Sequence, residues 1–125
     1  MIRLANHKEA LEILNEPQNQ QSVGMISETL FSQPWICSQD GLKMMFVFWM
    51  VEDGVCEAHI ACSKKAIIKS RLLAKELISW IFTFGVKRII TSCPAGIISN
   101  MAEKIGMNKY KSVGNTNHYE VLSWQ

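Results

Sequence analysis

At 125 residues with a formal net charge of +2, the chain has room for one domain, residues 1–125, and too little excess charge to select nucleic acid as a partner. Its 48% apolar and 19% charged residues describe a globular chain that can bury a core, not a disordered one. The longest apolar run, Met44 to Val51, falls short of the roughly 20 residues needed to span a bilayer, so no membrane partner is expected.

The first residues, Met1-Ile2-Arg3-Leu4-Ala5-Asn6, meet the charged Lys8-Glu9 before a signal-length apolar stretch can form, which predicts a cytoplasmic location. Ile2-Arg3-Leu4 reads as a first strand. Asn6 can cap a helix whose apolar positions are Ala10, Leu11 and Leu14, with Pro17 ending it. A second, weaker helix is expected from about Gln20 to Phe31, closed by Pro34. Trp35-Ile36-Cys37-Ser38 then reads as a strand, Gln39-Asp40-Gly41 as a turn, and Leu42 to Val51 as an interior strand apolar on both faces. Asp53-Gly54 reverses the chain into Val55 to Cys62, predicting an antiparallel hairpin.

From Ile67 to Phe84, the residues Leu73, Leu77, Trp80, Ile81 and Phe84 keep helical spacing and form one apolar stripe, with Gly85 as the left-handed stop. Val86 to Ser92 is a buried strand broken by Pro94, and Gly96 to Ile105 a helix stopped by Gly106. Two final strands, about Met107 to Val113 and His118 to Trp124, flank the turn-rich Gly114-Asn115-Thr116-Asn117. The predicted class is α+β, a mixed, mostly antiparallel sheet flanked by helices in the order β-α-α-β-β-β-α-β-α-β-β.

Cys37, Cys56, Cys62 and Cys93 contain no CxxC pair, so reduced, buried thiols are expected in place of a disulfide framework or a metal site. The local excess of positive charge is Lys64, Lys65, Lys69 and Arg71. Trp35, Trp49, Trp80 and Trp124 read as packing residues.

The turn Leu77-Ile78-Ser79-Trp80, the stop Gly85-Val86-Lys87-Arg88-Ile89 and the later Glu103-Lys104-Ile105-Gly106-Met107 together resemble the C-terminal half of the Gcn5-related N-acetyltransferase (GNAT) family, and the element order matches it over the whole chain. This resemblance implies acetyl-CoA as cofactor, held in a splayed gap between Val55–Cys62 and Val86–Ser92, with the backbone of Ile60, Ala61 and Cys62 bonding the pantetheine arm. It also places the diphosphate loop at Lys65-Ala66-Ile67-Ile68-Lys69-Ser70, where every glycine of the family pattern is replaced. β-Branched Ile67 and Ile68 resist positive φ and would crowd phosphate oxygens; Lys65, Lys69, Ser70 and Arg71 are the residues left to bind them. The family's tyrosine acid corresponds to Ala102, and an asparagine that contacts the cofactor corresponds to Ala95.

Glu57 and His59 alternate along one strand and therefore share a face, and the resemblance implies a carboxylate at about this position that deprotonates the substrate amine, which makes the two the candidate catalytic residues. The bland reading puts Glu57 in solvent and makes His59 a hydrogen-bonded sheet residue. Cys93 reads as packed and not nucleophilic, and Tyr119, alternating with Val121, as core beside His118. Two functions follow from the resemblance. One is acetyl-CoA-dependent transfer to a small-molecule or protein amine. The other is a non-catalytic protein of the same fold that binds a protein partner or a bacteriophage particle, in which case its location would be the virion.

Overall fold

The computed structural model describes residues 1–17 and 34–123. The expected helix from Gln20 to Phe31 and Trp124 lie outside them. Seven strands form one sheet in the order β1-β2-β3-β4-β5-β7-β6: β1 (Ile2–Leu4), β2 (Trp35–Gln39), β3 (Leu42–Glu52), β4 (Val55–Cys62), β5 (Arg88–Pro94), β6 (Asn108–Val113) and β7 (Thr116–Leu122). Among the described residues only the β4–β5 pair is parallel. Parallel neighbours need a crossover, which here is a 3-10 helix, Lys64–Lys69, followed by helix α2, Ser70–Phe82. Helix α1 is His7–Leu14 and α3 is Ile97–Lys104.

The period of two along each strand divides the core between two faces. On one face, Cys37, Met44, Phe46, Cys56 and Ala58 pack with Leu73, Leu77 and Ile81 of α2 and Met101 and Ala102 of α3. On the other, Ile36, Met45, Val47 and Ala61 pack with Ala10, Ile13 and Leu14 of α1. The expected β3–β4 hairpin is present, paired from Met44↔Cys62 to Glu52↔Val55. All four cysteines are buried.

α1 is fixed by a reciprocal cap: the Glu9 amide donates to Asn6 Oδ1 at 2.9 Å and the Asn6 amide to Glu9 Oε1 at 3.0 Å. The Glu9 carboxylate also accepts from Arg3 on β1, at 2.6 and 3.0 Å, and from Lys43 Nζ on β3, at 3.2 Å. Its hydrogen bonds from Arg3, followed in weight by those from Asn6 and Lys43, hold its pKa down to about 2 against the opposing effect of burial.

Several boundaries differ from the sequence expectation. The long amphipathic helix starts at Ser70, not Ile67, because Ser63 caps a 3-10 segment first. Its stripe buries Leu73, Leu77 and Ile81, but Phe84 lies past the helix end and is 62% exposed, its ring set edge-on to Trp80 at 4.9 Å. β5 begins at Arg88, two residues late, where the ladder to β4 starts at Val55↔Arg88; the Lys87 and Arg88 amides both donate to Gly54 O, at 2.8 and 3.1 Å. Pro94 closes β5 as its last residue instead of lying beyond it, since a strand end tolerates a missing N–H. The β6–β7 turn is tighter than expected: Thr116 and Asn117 already belong to β7.

Candidate active site

β4 and β5 pair through Val55↔Arg88, Cys56↔Ile89 and Glu57↔Ile90, and there the ladder stops although both strands run on, to Cys62 and Pro94. Each is held from its other side: β4 by β3 as far as Cys62↔Met44, β5 by β7 as far as Pro94↔Thr116. The two half-sheets therefore part at Glu57 and leave a gap. Small Ala58, Ala74 and Ala102 line it with Leu77, Ile105 and Met107, leaving a cavity of about 40 Å³.

The imidazole of His59 stands where the strands part. It is 7% exposed, and its ring stacks on Trp49 of β3 at 5.5 Å and 27°. Nε2 lies 2.7 Å from Glu57 Oε2, and Nδ1 lies 3.4 Å from Thr91 Oγ1 across the gap. A buried imidazole needs partners for both nitrogens, and it has them. The Glu57 side chain is 28% exposed, so the pair reaches from solvent to the cavity wall. Glu57 and His59 are thus brought together, as their spacing in β4 predicts. The arrangement combines both readings: His59 is a hydrogen-bonded sheet residue, and its partner is the carboxylate otherwise expected in solvent.

Cys93 also lines the cavity, but burial, with the Glu103 charge as a lesser cause, pushes its thiol up to about 11. A thiol held that high stays protonated at neutral pH and is a poor nucleophile. Burial likewise raises Cys56 to about 11 and Cys62 and Cys37 to about 12. Tyr119 is fully buried; its hydroxyl sits 2.5 Å from Ser99 Oγ, which also accepts from Asn117 Nδ2 at 2.9 Å, tying β7 to α3. Tyr119 is core, as expected.

At the other end of the gap, the expected diphosphate loop is the 3-10 helix. The Ala66 amide donates to Ser63 O at 3.0 Å and Ser63 Oγ at 3.3 Å, and the Ser70 amide to Ile67 O. Ile67 packs against the core while Ile68 is 89% exposed. Neither isoleucine has positive φ, and the Ala66 and Ser70 amides are committed within the turn.

The basic residues of this segment separate. Lys69 Nζ pairs with Asp40 at 3.2 Å. Lys65 borders a groove shared with Glu9, Glu12, Glu16 and Lys43. Arg71 and Ser70 face a different groove, of about 620 Å³, with Ile67, Ile68, Asn100, Met101 and Lys104. Ile60 lines the gap, while Ala61 and Cys62 bury their side chains on opposite faces of the sheet. Ala102 is buried in the gap wall, and the Ala95 amide donates to Asn115 O at 2.9 Å.

Thr91, Trp49, Asn100 and Lys104 were not among the residues expected at the site. Thr91 closes the Ile-Ile-Thr run that marks β5, and its role depends on the β4–β5 register, which the run alone does not contain.

No family model and no curated protein matches the sequence. Solved structures do match. An IAA acetyltransferase from Bacillus cereus superposes with a TM-score of 0.67 at 11% identity, covering 98% of this chain and 99% of that one. PseH, an N-acetyltransferase of Campylobacter jejuni solved in complex with acetyl coenzyme A, gives 0.63 at 13% identity over 98% and 99%. The aminoglycoside acetyltransferase AAC(6')-Ib in complex with coenzyme A gives 0.69 at 15% identity over 98% and 94%. These likenesses span the whole chain, and they agree with the splayed parallel pair in the middle of the sheet: the fold is that of the Gcn5-related N-acetyltransferases.

Proposed function

We propose that the chain is an acetyl-CoA-dependent N-acetyltransferase in which Glu57 and His59 remove the proton of the acceptor amine. The observation that carries this reading is the 2.7 Å Glu57–His59 pair at the point where β4 and β5 part. Two of the similar structures hold acetyl coenzyme A or coenzyme A, which supports the same ligand here.

The residues present fit such a ligand in part. An apolar gap with small side chains suits a pantetheine arm, and the β4 segment Ile60-Ala61-Cys62 offers backbone groups along it. The Ala66 and Ser70 amides are committed within the turn, so Arg71, Ser70 and Lys104 would have to bind a diphosphate largely with side chains, Arg71 as the cation best suited to bidentate contact. Lys69 and Lys65 contribute less, given their places beside Asp40 and Glu9. Acetyl-CoA supplies an activated acyl group on a thiolate, a leaving group that tolerates the alanine at position 102.

For its part, the chain orients a base. A carboxylate only accepts, so Nε2 of His59 carries hydrogen toward Glu57, and Nδ1 of the neutral ring is the acceptor turned toward the gap. Trp49 fixes the plane of the ring. Calorimetry with sub-millimolar acetyl-CoA is expected to show heat, with a rise in melting temperature and release of free thiol in the presence of small primary amines. No heat and no thermal shift would overturn the reading.

A second reading, a non-catalytic scaffold for a protein partner, is favoured by the 3-10 turn that occupies its own amides. It predicts a stoichiometric partner in a pull-down and no thermal response to acetyl-CoA.

A further inference from the structure

Across the gap from the Glu57–His59 pair stands a hydroxyl that the scheme above leaves unused. Thr91 is the first residue of β5 beyond the last β4–β5 pair, Glu57↔Ile90, so it forms the opposite lip where the strands begin to part. Its Oγ1 is 3.4 Å from His59 Nδ1, and both residues line the same cavity. The hydrogen directions follow from the chemistry of the groups. With Nε2–H turned to Glu57, Nδ1 accepts, and Thr91 O–H is the donor that faces it. Carboxylate, imidazole and hydroxyl thus form one line. Both ring nitrogens are engaged, so a substrate nitrogen in the cavity meets Oγ1 before it meets an imidazole lone pair.

We infer that Thr91 is a catalytic residue, its hydroxyl passing the proton of the amine to His59 and returning it to the departing sulfur. This rests on the acetyl-transfer reading. As the neutral amine nitrogen bonds to the carbonyl carbon of an acyl thioester, its N–H proton moves to Thr91 Oγ1 while the Thr91 proton moves to His59 Nδ1. The carbon–sulfur bond breaks and its electron pair stays on sulfur. The imidazolium, paired with Glu57, sends its proton back through Oγ1 to that sulfur. An amide and a thiol leave, and the three side chains return to their starting state. One line serves as base and then as acid, which accounts for a gap wall that carries the methyl of Ala102 and a Cys93 packed into the core.

The test uses the full chain and two variants. Thr91→Val removes the hydroxyl while keeping a β-branched side chain suited to a strand, and Thr91→Ser restores it. Thr91→Val is expected to bind acetyl-CoA within about twofold of the parent and to lose at least ~100-fold in kcat, with Thr91→Ser recovering to within about tenfold. ¹⁵N NMR of His59 supplies a readout without turnover: Nδ1 should report a hydrogen-bonded acceptor in the parent and shift toward an unbonded one in Thr91→Val. An unchanged kcat, or unchanged ¹⁵N shifts, in Thr91→Val overturns the relay. So does an acetyl group found on Thr91 by mass spectrometry of quenched turnover, which would make the hydroxyl a nucleophile. A parent chain that transfers to no amine defeats the acetyltransferase reading and the relay with it; a parent that transfers and a Thr91→Val that transfers equally well defeat the relay alone.

Discussion

The two ends of the β4–β5 gap are built from different materials. Where the strands part, side chains do the work: Glu57, His59, Thr91 and Trp49 hold one another through a 2.7 Å contact, a 3.4 Å contact and a stacked ring. At the far end, Lys64–Lys69 closes on itself through backbone hydrogen bonds, and among the described residues the polar side chains that line the adjoining groove are Ser70, Arg71, Asn100 and Lys104. In the proposed reading, proton transfer and anion binding therefore make different demands on the fold. The first needs two strands in register. The second needs a particular turn.

The sharpest break of this comparison is Glu57→Gln. If the inner end governs chemistry and the outer end governs binding, acetyl transfer should fall by about 10²–10³-fold, while the acetyl-CoA dissociation constant from calorimetry stays within about twofold. Loss of affinity in parallel with activity would show that the two ends are not separable.

A second expectation concerns the support behind the inner end, since α1 covers the sheet face that carries Ala61 and, by strand alternation, Glu57 and His59. Glu9 anchors α1 to β1 and β3, with its pKa held at about 2 from an ordinary 4.5. A depressed carboxylate contributes its full stability above the ordinary pKa and loses it as the pH falls through the range from 4.5 toward 2. Glu9→Gln should lower stability by up to about 3 kcal/mol at pH 7 by linkage. The melting temperatures of parent and variant should converge near pH 2, and a gap that persists there would assign the loss to packing instead of charge.

The sequence made some of this legible and hid the rest for identifiable reasons. Asp53-Gly54 between two strand-like runs announces the β3–β4 hairpin, and the two-residue spacing of Glu57 and His59 puts them on one face; both are local properties. The start of the crossover is also local in sequence, yet it misleads. Ile67 and Ile68 continue the apolar pattern of α2, and composition does not separate an i→i+3 turn from an i→i+4 one, so the capping of the 3-10 segment by Ser63 went unseen. Thr91 is a different case. Its place opposite His59 depends on how β4 and β5 are paired after a crossover of some 25 residues, from Ser63 to Lys87, a tertiary property that no run of side chains encodes. The dispersal of Lys65 and Arg71 to different grooves, and of Lys69 to Asp40, has the same origin.

At the outer end, Arg71→Ala should weaken acetyl-CoA binding by about tenfold, the scale of one charge-assisted contact, and leave kcat under saturation unchanged. Adding salt should reduce the difference between parent and variant, because a solvent-facing ionic contact is screened. A variant that lowers kcat with no change in affinity would move Arg71 out of the binding role.

The smallest effect, and the one aimed most directly at the turn, is expected from Ile68→Gly. Ile68 is 89% exposed, so removing its side chain deletes little core packing, and the cost to the 3-10 segment is that of added backbone freedom, of the order of 1 kcal/mol. If bare amides are what the turn lacks, glycine lets this segment leave its internal hydrogen bonds and offer N–H groups to an anion, and acetyl-CoA should bind a few-fold more tightly despite the lower melting temperature. If affinity stays the same or falls, the Ala66 amide remains committed to Ser63 whatever stands at position 68, and side-chain contacts from Arg71 and Lys104 are the whole of the anion site.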